Sequence, residues 1–176
     1  VFGLVGSEMC IRDRIYGDYR SSRFIQQING AFLNNINTNY SYNLSAETLF
    51  DDFPRVEIGY KQNIGNYDTG ITKSKFITNE PFINLEYNFF KDYNLEGNYN
   101  FYDYKNKTLG QQNNYSLFNA SLFYQKEDSP WNFKVTAQNI LNESFKQNNQ
   151  FSNYLISDTK TYILPRIIML SVGYKL

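Results

Sequence analysis

The sequence predicts an all-β chain: antiparallel strands of an up-and-down transmembrane β-barrel, about seven of them full length. Three observations carry this expectation. From about Ser41 onward, polar and apolar residues alternate with a period of two. Each alternating run lasts about nine residues or more, the length a tilted strand needs to cross a bilayer, whereas soluble strands commonly stop at about five or six. The links between runs are short and long in strict turn, as they are where tight periplasmic turns alternate with extracellular loops.

In "RVEIGYK", Val56, Ile58 and Tyr60 share one face, and Arg55, Glu57, Gly59 and Lys61 the other. "FINLEYNFF" sets Ile83, Leu85, Tyr87 and Phe89 against Asn84, Glu86 and Asn88. "YNLEGNYNF" sets Tyr93, Leu95, Gly97, Tyr99 and Phe101 against Asn94, Glu96, Asn98 and Asn100. Phe118, Ala120, Leu122 and Tyr124 form the next apolar face, and Trp131, Phe133, Val135 and Ala137 the one after it. The last run places Ile168, Leu170, Val172, Tyr174 and Leu176 on one side. Short links are expected at Asp51–Pro54, Lys91–Asp92 and Glu127–Pro130, and long polar ones over Gly65–Lys75, Lys105–Asn114 and Glu143–Thr159. Pro54 and Pro130 sit in short turns, while Pro81 and Pro165 are expected at outer strand ends, where pairing can lapse. Phe53, Phe89, Phe90, Tyr93, Tyr124, Trp131 and Tyr174 are expected at the turn side, and Tyr102, Tyr104, Tyr115 and Tyr162 at the loop side, as aromatic girdles gather at the headgroup level. Residues 15–40 lack clear alternation and are expected as a poorly defined strand and loop stub ahead of the barrel section, 41–176.

Composition limits the chemistry. Lys+Arg and Asp+Glu both total 17, so the chain shows none of the basic excess expected of a nucleic-acid binder. It has no histidine, which removes the commonest general base and most zinc sites. No catalytic, cofactor or metal site is expected, and the chain reads as a non-enzyme. The mean hydropathy of −0.55 does not separate a soluble β-protein from a barrel, because half of each barrel strand faces water.

By "SLFYQKEDSPWNFKVTAQNILNESF" and "YILPRIIMLSVGYKL", the chain resembles the C-terminal end of a TonB-dependent receptor, of the outer-membrane β-barrel kind common in Bacteroidetes. The shared order is a strand, a tight turn, an aromatic, "QNILN" leading into a long loop, and Pro-Arg before a last alternating strand. The resemblance implies a parent barrel of about 22 strands, plugged by an N-terminal domain and importing a ligand with energy delivered through TonB. On that reading this chain is a fragment located in the cell outer membrane. Its partners are the outer-membrane lipid, the barrel-assembly machinery, and TonB through the missing part of the parent. The other reading is a soluble or fibrous β-rich surface module, glycan-binding or adhesin-like, whose apolar faces would need a second sheet.

Two candidate sites follow. The row Leu170, Val172, Tyr174 and Leu176 resembles the C-terminal signal for barrel assembly, and reads equally as an ordinary lipid-facing strand. The loop "NESFKQNNQFSNYLISDTK" offers Phe145, Phe151 and Tyr154 as a possible external ligand contact, and reads equally as a solvated loop. Arg55, Glu57, Lys61, Glu86, Glu96 and Lys134 are expected on the inner face, where a wet lumen needs polar residues in any case. The paired carboxylates of "FDD" over 50–52 are expected as a turn signal.

The opening "VFGLVGSEMCIRDR" differs from everything after it. It contains no Asn or Tyr and carries Cys10, the single cysteine. Its charges and apolar residues are in the wrong order for a signal peptide. Met9–Asp13 back-translates as ATG-TGT-ATA-AGA-GAC, followed by an AG that permits Arg14, which resembles a transposase-type sequencing adapter. Residues 1–14 are therefore expected to be translated adapter, with the native frame starting near Ile15.

Overall fold

The structure, a computed structural model, describes residues 11–28, 30–49, 53–70, 73–108, 110–151 and 156–175. Side chains are described for these residues except 28 and 147–159. The strands are β1 (Ile11–Ile28), β2 (Ala31–Thr48), β3 (Arg55–Asp68), β4 (Lys73–Phe89), β5 (Tyr93–Asn106), β6 (Gln111–Gln125), β7 (Trp131–Gln138), β8 (Phe145–Phe151), β9 (Ile156–Tyr162) and β10 (Ile167–Tyr174). An antiparallel meander joins β1 to β7 in order, and β10 returns beside β7, giving one 8-stranded sheet. Strands β8 and β9 form a separate hairpin inside the link between β7 and β10. The sheet is all-β and antiparallel, and it has two edges, β1 and β10.

Register turns the alternation of each strand into two continuous faces. On one face, Val56, Leu85, Gly97, Ala120, Ala137 and Ile168 are successive cross-strand partners. The next row on that face is Tyr87, Leu95, Leu122, Val135 and Leu170. One residue out of phase, the opposite face carries the row Glu57, Asn84, Asn98 and Asn119. A slip of one residue in any strand would interrupt both series, so the pattern fixes the register.

The burial of these faces is reversed relative to a water-soluble sheet. The buried strand residues Phe76, Phe82, Tyr104, Tyr115, Asn35, Glu47 and Asn106 all stand on the polar face, and Tyr102 stands there too, so Tyr102, Tyr104 and Tyr115 do not form the outward loop-side girdle that the sequence suggests. The large exposed hydrophobics of the sheet stand on the apolar face, apart from Tyr16 and Met169. Side chains converge on the inside of a curved sheet and splay on its outside, so this asymmetry is that of a sheet curved around its polar face. Nothing among the described residues covers the apolar face.

The short links at Lys91–Asp92 and Glu127–Pro130 fall where the sequence places them, while Asp51 and Asp52 of the expected link Asp51–Pro54 lie outside the described residues. Between β4 and β5 the chain turns through Phe90 and Lys91, both with positive φ. Between β6 and β7 it turns through 126–130, where Ser129 N–H donates to the Lys126 carbonyl at 3.1 Å. The segments expected as long loops differ. Strand β3 continues to Asp68 and β4 begins at Lys73; β5 continues to Asn106 and β6 begins at Gln111. Polar residues on both faces erase the two-residue periodicity there, while the backbone ladder continues, because pairing needs only N–H and C=O groups. At the β3–β4 turn, Asp68 accepts from Lys73 at 2.9 Å and from the Gly70 N–H at 3.0 Å, and these bonds hold its carboxyl below the ordinary range.

Residues 15–40 form most of the two longest strands, and β1 is one strand more than the periodicity reveals. Ile11–Arg14 extend β1, with Arg14 Nη2 at 2.8 Å from Glu47. Any non-proline residue can join a ladder, so this placement carries no information on their origin. Residues 1–10, including Cys10, and the "FDD" positions 50–52 lie outside the described residues. Pro81 stands inside β4 rather than at its end, but the ladder to β5 lapses at Glu80 and Pro81, where the missing N–H falls.

Candidate functional site

The polar face is a continuous hydrogen-bonded wall. Asn84 Nδ2 donates to Glu57 at 2.9 Å, Asn98 Nδ2 donates to Asn84 Oδ1, and Asn100 Nδ2 donates to Asn98 Oδ1 at 2.6 Å. Toward β1, Glu47 accepts from Arg55 Nε at 2.5 Å and from Arg14, and Arg55 also lies 3.7 Å from Glu86. Lys61 stands 3.4 Å from Glu80, and Ser121 donates to Glu96 at 3.0 Å. Arg55, Glu57, Lys61, Glu86, Glu96 and Lys134 thus all stand on this one face, as the sequence predicts. Five of the six engage neighbouring polar groups there, so their arrangement is that of a satisfied polar surface.

The base of the β8–β9 hairpin borders this wall, and between them lies an open cavity of about 670 Å³. Glu96, Asn98, Asn119, Ser121 and Lys134 line it from the sheet, and Lys146 and Tyr162 from the hairpin. The sheet side brings amides, hydroxyls and one charge of each sign, while Leu117, Ala120, Ile163, Leu164, Pro165 and Ile167 make much of the remaining lining apolar.

One buried side chain holds the hairpin in this position. Asn139, with φ of 49°, takes the left-handed conformation that asparagine tolerates best after glycine. Its Nδ2 donates to the Glu143 carbonyl at 2.8 Å and to the Leu164 carbonyl at 2.9 Å, and its Oδ1 accepts from the Glu143 N–H at 2.9 Å. Its own N–H donates to Asn119 Oδ1 at 2.9 Å, which ties the turn to β6. Asn142 Oδ1 adds a second clasp by accepting from the Arg166 N–H at 3.1 Å. The two asparagines of "QNILN" therefore close the loop that leaves at Glu143 and returns at Leu164. Sequence reading marked that motif only through family resemblance and missed this role.

The apolar face is bordered by an aromatic row at one end and a hydrogen-bonded polar belt at the other. At the turn end, Phe89, Tyr93, Tyr124 and Phe133 occupy one row, with ring centroids 5.2, 4.7 and 6.2 Å apart in succession. Trp131 and Tyr174 pair at 4.7 Å just beyond it. At the loop end, the Tyr60 hydroxyl donates to Asn79 at 2.8 Å, Asn79 donates to Asp103 at 3.3 Å, and Gln112 donates to Asp103 at 2.9 Å. From Tyr93 to Asp103 a strand climbs about 33 Å, or about 25 Å along the axis of a barrel whose strands tilt by about 40°.

Leu170, Val172 and Tyr174 project from the apolar face of β10, which is an edge strand, and all three are exposed. Leu176 lies outside the described residues. Phe145 stands at the base of β8, with Lys160 Nζ 3.6 Å from its ring centroid. The Phe151 backbone ends β8, its side chain and all of Tyr154 lying outside the description, so no cluster of these three is seen. No protein-family model, curated protein or solved structure matches the chain.

Proposed function

We propose that this chain is the C-terminal section of an outer-membrane β-barrel, a TonB-dependent receptor whose full-length parent imports a ligand not identifiable from this section. The observation that carries the reading is the reversal of burial: an exposed apolar face opposite a hydrogen-bonded polar one that holds the buried residues of the sheet. Water would penalise such a sheet, whereas lipid outside and water inside satisfy both faces. The spacing of about 25 Å between the aromatic row and the Tyr60–Asn79–Asp103 belt supports it, since that is the height of a barrel's apolar band.

The open edges support a larger assembly. Unpaired N–H and C=O groups along β1 and β10 are not tolerated in hydrocarbon, so further strands must complete the ring. The receptor assignment rests on the resemblance of the last two strands and of the loop that Asn139 and Asn142 close. The cavity under β8–β9 would form part of the imported ligand's surroundings.

Fractionation of the native product tests the proposal. The expected result is recovery in the outer membrane, extraction by detergent alone, and the heat-sensitive electrophoretic mobility of a closed barrel. Release into the soluble fraction without detergent would exclude the barrel and leave the surface binding module.

A further inference from the structure

Above the belt that bounds the apolar face, the outward surface turns cationic. On that face Lys75 follows Ile77 along β4, and Ile77 is the cross-strand partner of Ile64. Lys107 lies beside Lys75, its backbone N–H donating to the Lys75 carbonyl at 2.9 Å. Arg23 of β1 shares a transverse row with Ile36, Asp68 and Lys73. Arg23, Lys75 and Lys107 are exposed, and among the described residues none of them has a carboxylate within ion-pair reach. Lys73 and Lys105 are each neutralised at 2.9 Å, by Asp68 and Asp103. A groove of about 280 Å³ opens here, lined by Thr38, Asn66, Asp68, Lys73, Lys75 and Thr108.

This surplus is local. The whole chain has zero formal charge, and the turn segments balance three cations, Lys91, Lys126 and Lys175, against three anions, Asp92, Glu127 and Asp128. Among the described residues the net positive charge thus gathers at one rim of the apolar face.

We propose that this outer rim binds the phosphate groups of outer-leaflet lipid, with Arg23, Lys75 and Lys107 as the cationic contacts and the Thr38–Lys75 groove receiving the headgroup. The proposal rests on the barrel reading above. An amphiphile fits both halves of the surface: acyl chains lie along Tyr60, Ile64 and Ile77, and the phosphate meets the ammonium groups directly above them. A free phosphate ion would use only the upper half. Long cationic side chains at such a boundary keep their methylenes on the apolar surface and their charge at headgroup level.

The test uses the protein extracted by detergent from its own outer membrane, delipidated, and offered micelles containing phosphatidic acid or phosphatidylcholine alone. Bound lipid is quantified after separation. Phosphatidic acid is expected to be retained selectively and in a salt-sensitive way, with about a fivefold loss per removed charge, so about 25-fold in K75Q/K107Q. K75R/K107R and the turn-end variant K91Q/K126Q are expected to bind as the parent does. Unchanged retention by K75Q/K107Q, equal loss in K91Q/K126Q, loss in K75R/K107R, or displacement by inorganic phosphate as readily as by lipid would each overturn the proposal. Release of the protein from cells without detergent would overturn the barrel reading and this proposal with it. Detergent-dependent extraction with no lipid selectivity would overturn this proposal alone.

Discussion

The ring of Phe82 fills the space where a side chain on Gly59 would stand: a Cβ there would lie 2.2 Å from Phe82 Cζ and 2.9 Å from the Leu44 carbonyl oxygen. The two residues are direct cross-strand partners on the polar face, and Phe82 is only 6% exposed. Lys61 Nζ lies 4.7 Å from the ring centroid. A glycine without a side chain and an aromatic that covers it thus make one packing unit in the middle of the sheet.

That unit makes Gly59 intolerant of even one carbon. Gly59→Ala forces Phe82 off its site and is expected to cost about 1–3 kcal/mol, read as a lower urea midpoint for unfolding of the detergent-extracted protein. Phe82→Ala leaves a cavity and is also expected to destabilise. The double variant should lose less than the sum of the two, because Ala at 59 partly fills the space that Phe82 vacates.

Asn139 is expected to govern the β8–β9 hairpin rather than the sheet. Asn139→Ala orphans the Leu164 carbonyl and both Glu143 backbone groups, at about 1–3 kcal/mol for each group left unsatisfied. Hydrogen exchange and protease cleavage should rise over 142–165, with the strand signal of the rest preserved. Asn139→Gly relieves the positive φ but restores no bond, so it should not rescue the hairpin. Full protection in Asn139→Gly would show that backbone conformation alone sets the loop.

The C-terminal edge strand is expected to be required for assembly. Deleting the last three residues removes the Tyr174 ring from Trp131, a pair worth about 0.5–1.5 kcal/mol, and the bond from the Lys175 N–H to the Pro130 carbonyl at 2.7 Å. Outer-membrane yield of the parent should fall strongly, by immunoblot of fractionated cells. Unchanged yield would mean that Leu170, Val172 and Tyr174 act only as lipid-facing side chains.

Charge placed on opposite faces should have opposite consequences. Leu122→Arg puts a cation on the apolar face, at an expected cost of about 2–4 kcal/mol if it lies near the bilayer midplane. Ser121→Arg points into the polar wall beside Glu96 and should be nearly neutral. Unfolding midpoints of the two variants, measured side by side, give the comparison; equal costs would remove the distinction between the faces.

The alternation that revealed the strands is strong where one face is apolar and vanishes where both are polar. Val56–Tyr60 and Ile168–Tyr174 announce their strands because every second residue meets a different medium. Asn66–Asp68 and Lys73–Lys75 do not, because both of their faces are polar, although their backbones pair as regularly. The β1–β2 hairpin was obscured in the same way by Arg, Ser, Asn and Gln on both faces. Its available signal was the Asn-Gly dipeptide at 29–30, a preferred two-residue hairpin turn. Asn139 was not legible at all: in a chain rich in asparagine nothing marks this one, and its partner Leu164 is distant in sequence. Phe89, Tyr93 and Tyr124 were legible as turn-side aromatics and Phe133 only as part of an apolar strand face, and register alone shows that the four stand side by side.

The central claim is that the apolar face meets lipid and the polar face meets water. Nitroxide labels introduced one at a time from Leu117 to Tyr124 of β6 test it in native membranes. The account predicts that oxygen, which concentrates in lipid, relaxes labels at Phe118, Ala120, Leu122 and Tyr124, while a water-soluble nickel chelate relaxes those at Leu117, Asn119, Ser121 and Phe123. Equal access of the nickel chelate to both sets would contradict it.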